Sequence, residues 1–189
     1  VANDVSAGST TTTTIAGRLA LFVTLMAFGL GHTRVVHSVT AADAVTIAHY
    51  VGGVALFVVG LLAFREGDHA SGTAFTVLGA LWFTWALAAG DRASANGAGL
   101  FFALFAAVVL TLTLAGGDPL TQGTYGLFLV SLVLLAVAAF TGSDGLAKAG
   151  GWFAVAAGAA AWYAATAALA HWPTSLPRRA TGRGVTAAG

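Results

Sequence analysis

The chain has 189 residues, of which 58% are hydrophobic and 8% charged, and its mean hydropathy is +0.86. A soluble domain carries about a quarter charged residues, so too little polar surface remains here to face water, and the solvent must be lipid. The net charge of +1 gives no basis for a nucleic-acid partner, and the absence of cysteine excludes disulfides, thiolate metal sites and thiol catalysis.

Residues 1–14 end in Ser9 and five threonines, Thr10 to Thr14. Such a polar, low-complexity stretch is expected to be a flexible tail. It lacks the positive charge of a signal-peptide n-region, and the apolar run after it ends in Gly31-His32-Thr33-Arg34 rather than a small-residue cleavage site. Six apolar runs follow: Ile15–Gly31, Val45–Phe64, Gly72–Ala89, Gly99–Ala115, Tyr125–Thr141 and Ala149–Ala170. Each is about 17 to 22 residues long, and a helix rising ~1.5 Å per residue needs ~20 to cross ~30 Å of hydrocarbon. Turn formers separate them, among them Glu66-Gly67-Asp68, Gly116-Gly117-Asp118-Pro119 and Gly142-Ser143-Asp144-Gly145. The pattern predicts an all-α membrane protein, a bundle of six transmembrane helices over 15–171, followed by a basic tail over 172–189.

Orientation follows from the cations. Arg18, Arg65, Arg178, Arg179 and Arg183 fall on the side of the N-terminus, and Arg34, Arg92 and Lys148 on the other. Positive charge is retained inside, so both termini are expected in the cytoplasm, in a multi-pass inner-membrane protein. Trp85, Trp152 and Trp172 fall near helix ends, as an interfacial aromatic belt requires. Trp82 and Trp162 fall mid-helix, where packing against neighbours or lining a cavity is expected.

Helices in lipid associate through small residues that let backbones approach. Gly150, Ala154 and Gly158 recur at four-residue steps in the sixth run, and Gly52, Gly53 and Gly60 stand in the second. These faces predict tight helix contacts, within a subunit or between subunits, and homo-oligomerisation is expected. No acidic or basic residue lies deep in a run; Arg18 is placed to snorkel to the interface. His32, His37 and His49 surround the first connection, but their spacing matches no helical ligand pair, so no metal is expected and interfacial histidines are the simpler reading. Hydroxyls at Thr24, Thr73, Thr76, Thr84, Thr111, Thr113 and Ser131 either line a polar path or bond to a backbone carbonyl one turn earlier. No nucleophile with a base, no phosphate loop and no cofactor motif is present, so the chain does not read as an enzyme.

The second and third runs carry a denser pattern: Gly52-Gly53, Gly60, Gly67, Thr73-Ala74-Phe75-Thr76, Gly79 and Trp82. In type and spacing this resembles the acetate uptake transporter family, also called the succinate–acetate permease family. Trp152, Gly158, Ala159, Ala161, Tyr163 and Ala165 in the sixth run agree with it. The resemblance implies six-helix subunits in a hexamer, each with its own pore for acetate or similar monocarboxylates. It places the pore constriction on Phe22, Leu78 and Leu132, a solute path past Thr73, Thr76 and Leu56, and Gly79 among the packing glycines. The chain also departs from the family. Thr-Thr-Thr-Ile15-Ala-Gly-Arg18-Leu stands where the family has Asn-Pro-Ala-Pro-Leu-Gly-Leu; Leu56 replaces a glutamine, Ala63 a glutamate, and Val77-Leu78 a Ser-Tyr pair. Each change in the second and third runs removes a polar group from the implied path, and a bare carboxylate needs donors along its route. Two readings stay open: a channel or transporter for a small monocarboxylate or neutral solute, and a non-conducting subunit that uses the scaffold to pack in a larger membrane complex.

Overall fold

The computed structural model describes residues 11–36, 41–90 and 94–172. His37, Arg92, the greater part of the expected N-terminal tail and nearly all of the basic C-terminal tail lie outside the described residues. Regular structure among the described residues is helical throughout. The elements are α1 (Thr12–Thr33), α2 (Ala41–Ile47), a π-helical stretch (Ala48–Ala55), α3 (Leu56–Arg65), α4 (His69–Gly90), α5 (Ala95–Leu114), α6 (Pro119–Thr141) and α7 (Asp144–Leu169). α2, the π-helical stretch and α3 run on as one span, Asp43–Arg65, and with the other five helices they make six segments long and apolar enough to cross a membrane.

Most helices begin earlier than hydropathy indicates, because polar caps carry them out of the apolar layer. The Thr11 hydroxyl accepts from the Thr14 N–H and starts α1 at Thr12, three residues before Ile15. Asp118 caps α6 with Pro119 in its first turn, so this helix includes the polar Thr121-Gln122-Gly123-Thr124 segment before Tyr125. Ser143 caps α7 in the same way, ahead of Ala149. At such an end the side-chain oxygen satisfies an N–H that has no carbonyl one turn back.

α1 packs along α7, α7 along α6 and α6 along α5, while the second span packs on α4 and α1 joins the two groups; α4 and α5 touch only slightly. The small residues make these contacts. A Cβ on Gly29 would stand 2.6 Å from the Gly151 carbonyl oxygen, so α1 and α7 cross backbone to backbone. On Gly158 it would meet the Met26 N–H at 3.2 Å, and on Gly150 the Ser131 carbonyl oxygen at 3.1 Å, while Ala154 between them is fully buried. Gly60 lies against Thr76, Gly79 against the Phe57 backbone, Gly52 against Thr24 and Gly53 against Phe83. Each of these glycines thus meets atoms of another helix in the same chain, and Ala154 belongs to the buried core. The π-helical stretch holds the Gly52–Gly53 pair, so its widened backbone faces the side chains of α1 and α4 at close range.

Two tryptophan expectations change. Trp85 is not in an interfacial belt: it is 8% exposed and packs edge-on against Phe28 and Trp82. Trp162, expected to pack against neighbours or line a cavity, is 46% exposed and does not line the cavity described below. Periodicity alone does not assign these faces, because the helices are apolar all round. Trp152 and Trp172 are exposed, as a belt requires.

Candidate solute path

Inside the bundle, a cavity of about 420 Å³ lies where α1, α4 and α6 begin and α5 and α7 end. That volume falls within the range of small-molecule sites, roughly 300–1,000 Å³. Its hydroxyl-bearing walls come from Thr14, Ser71, Thr73, Thr121, Thr124 and Tyr125, and its apolar floor includes Leu21 and Phe75. Arg18 reaches into it rather than snorkelling outward. Its Nη2 donates to Asp118 Oδ2 at 2.8 Å and to Thr121 Oγ1 at 3.1 Å, which ties α1 to the start of α6. The physical reason is the charge-assisted pairing available inside, where a carboxylate and a hydroxyl converge. Burial raises the Asp118 carboxyl, but the Thr121 hydroxyl and N–H and the Arg18 charge outweigh it and hold Asp118 below the ordinary carboxylate range. Asp68 behaves alike: burial raises it, and donors from Ser71, Thr14 and Ala70 bring it below that range.

Beyond the cavity the interior closes on aromatic rings. Trp82 stacks on Phe128, with centroids 5.5 Å apart and planes 18° apart, and meets Phe28 at 5.0 Å and Phe105 at 5.4 Å edge to face. All four rings are sealed from solvent. Leu78 and Leu132 are sealed in the same core, one turn before Trp82 on α4 and one turn after Phe128 on α6. Phe22 is not brought to them. It is half-buried, and its carbonyl faces Gly158 of α7. Its neighbour Leu21 lines the cavity instead. Thr73 also lines the cavity, whereas Thr76 turns to Gly60 at the α3–α4 contact and Leu56 is fully buried in the core.

His32 Nδ1 lies 2.8 Å from the Phe28 carbonyl oxygen, with its ring against Phe28 and Phe102. His49 sits elsewhere, against Tyr50 and Phe83. Among the described residues no three groups of metal-ligating type come together. The aromatic layer was not anticipated from sequence. Its one signal is that Trp82 and Phe105 come near the middle of apolar runs; Phe28 and Phe128 stand within four residues of a run's end.

The six spans thus enclose a cavity with hydroxyl-bearing walls at one end and a sealed aromatic core beyond it. The model of the GPR1/FUN34/yaaH family matches residues 6–178. The chain belongs to this family. Its fold is similar to that of a bacterial acetate channel, SatP, with a TM-score of 0.79 over 88% of this chain and 98% of that one, at 22% identity. Comparison with curated protein sequences finds no match. Membership of the family agrees with the resemblance carried by Gly52 to Trp82, and the chain is a multi-pass membrane protein.

Proposed function

We propose that the protein conducts small monocarboxylates of the acetate class, or small neutral solutes, across the cytoplasmic membrane, with one path through each subunit. The observation that supports this is a cavity lined by Arg18, hydroxyls and the apolar Leu21 and Phe75, with the sealed Phe28–Trp82–Phe128 rings deeper in the same core, all within one chain. Arg18 and the surrounding hydroxyls gather a carboxylate at the mouth, where water still screens it. The layer above offers an ion no replacement for its hydration, so the species that crosses is uncharged. Subunits assemble as a homo-oligomer, a hexamer by family resemblance. Only 28% to 44% of each span is buried within the subunit, which leaves apolar faces for lipid and for neighbouring copies.

Acetate uptake by proteoliposomes holding the purified protein tests the proposal. Saturable uptake above that of empty vesicles is expected. No flux of acetate, formamide or glycerol would leave the second reading, a non-conducting subunit of a larger membrane complex.

A further inference from the structure

Arg18 and Asp118 both line the cavity, and the two partners are held unequally. Asp118 is fixed by its own helix: Oδ1 accepts from the Thr121 N–H at 3.0 Å and Oδ2 from the Thr121 hydroxyl at 2.6 Å. Those bonds cap α6 and do not depend on Arg18. The guanidinium is less fully engaged. Three of its five N–H groups donate, to Asp118 Oδ2, to Thr121 Oγ1 and, at 3.5 Å, to the Ala164 carbonyl oxygen. The other two have no protein partner among the described residues. The Arg18 side chain is only 16% exposed, against 43% for Asp118, so these donors stand largely out of water beside an open cavity of about 420 Å³. Asp118 is the one carboxylate among the described residues on the cavity wall. Arg18 itself belongs to the Thr-Thr-Thr-Ile15-Ala-Gly-Arg18-Leu segment, where the chain departs from the family motif.

We infer that Asp118 is an internal competitor for Arg18, which keeps the cavity's affinity for a solute carboxylate low and makes the site selective for monoanions over dianions. The inference rests on the transport reading above and adds what lets the mouth release its solute. A mostly buried guanidinium without a counterion would hold a carboxylate firmly, through charge-assisted hydrogen bonds about twice as strong as neutral ones. A conducting site must bind weakly enough to let go. With Asp118 in place the pair is neutral. A monocarboxylate then meets two free N–H donors and one anchored negative charge that its cap prevents from withdrawing. A dianion brings a second charge to the same neutral pair and is repelled more strongly.

The test measures binding by the full chain in nanodiscs of deuterated zwitterionic lipid, at pH 7.5, where acetate and succinate are both ionised. Saturation-transfer NMR of the solute protons gives the half-saturating concentration, with empty nanodiscs as background. Asp118→Asn keeps a helix cap and removes the charge. It should lower the half-saturating concentration of acetate about five- to thirtyfold, and that of succinate by a larger factor. Arg18→Leu should raise the acetate value about tenfold or more, to the background of empty discs. Asp68→Asn is the control for net charge, since Asp68 bonds to Thr14 and Ser71 and not to Arg18. A cooperative thermal transition in detergent shows that each variant is folded, and Asp118→Ser, also a good cap, replaces an Asn variant that is not. Acetate affinity unchanged or weakened without the Asp118 charge overturns the inference. So does an equal gain in Asp68→Asn, or a gain for succinate no greater than that for acetate. Liposome flux with the same preparations separates the two readings. Flux without the affinity gain refutes the competitor and leaves transport standing. The gain without flux upholds the competitor and refutes transport, and neither refutes both.

Discussion

Gly158 marks how closely α7 approaches α1, since a Cβ there would stand 3.2 Å from the Met26 N–H and 3.3 Å from the Phe22 carbonyl oxygen. Backbone cannot move aside as a side chain can, so Gly158→Leu must separate two helices that are packed along their length. The loss is about 1–3 kcal/mol or more, and thermal unfolding in detergent should drop by several degrees. Gly123→Ala is the control: nothing lies within 4 Å of its Cβ, and alanine in a helix gains up to about 1 kcal/mol over glycine. Equal melting temperatures for the Gly158→Leu variant and wild type would refute the close contact. The stripe itself was legible, because only Gly and Ala recur at four-residue steps through Gly150, Ala154 and Gly158. The partner of each stripe was not, since helices apolar on every side carry no mark of which face meets protein. Phe22 came to the constriction by resemblance alone, and it is Leu21, one residue or ~100° of helix away, that lines the cavity.

At the level of elements, the caps decide more than the hydropathy runs. Asp118 starts α6, holds Arg18 of α1 and stands beside the cavity, so one carboxylate fixes a helix end and the mouth together. Its pKa is lowered in the folded protein. A carboxyl so depressed stabilises the fold above its unfolded value, near ~3.9, and that contribution is lost as pH falls through the lower folded value. Asp68 is lowered too and acts in the same direction. Melting temperature in detergent should be level above about pH 5 and decline below about pH 4. Asp118→Asn should remove part of that decline and lower the plateau; an acid profile identical to wild type would show that the pair with Arg18 contributes nothing. Six spans were legible because length and apolarity are set by the bilayer itself. Their starts were not, for the polar first turn of α6, Thr121 to Thr124, reads as loop until Asp118 and Pro119 are taken as its cap. The Arg18–Asp118 pair spans a hundred residues of sequence, and nothing local signals it.

On the scale of the whole molecule, orientation and conduction are linked, since the cavity lies at the face where α1 begins. The excess of arginine on that side predicts that it faces the cytoplasm, so a tag after Gly189 should be inaccessible to a membrane-impermeant reagent in intact cells. Labelling from outside would reverse the cavity's direction. On the proposed path, a solute leaving by this face would pass the aromatic layer first and reach Arg18 last. The layer is built from Phe28, Trp82, Phe105 and Phe128, flanked by Leu78 and Leu132, and all are sealed. Water and ions gain nothing there to offset lost hydration, whereas a neutral acid leaves behind only modest solvation. Acetate flux should therefore follow the concentration of acetic acid rather than of acetate, falling about tenfold for each unit that pH rises above the acid's own pKa. Formamide, which is uncharged throughout, should cross at a rate independent of pH and provides the internal control for protein integrity. Acetate flux that stayed constant from pH 5 to pH 7.5 while formamide flux also held steady would mean that the anion itself crosses. The dry layer would then have to open wide enough to admit water with it, and this closed bundle would be only one of the protein's conducting-cycle states.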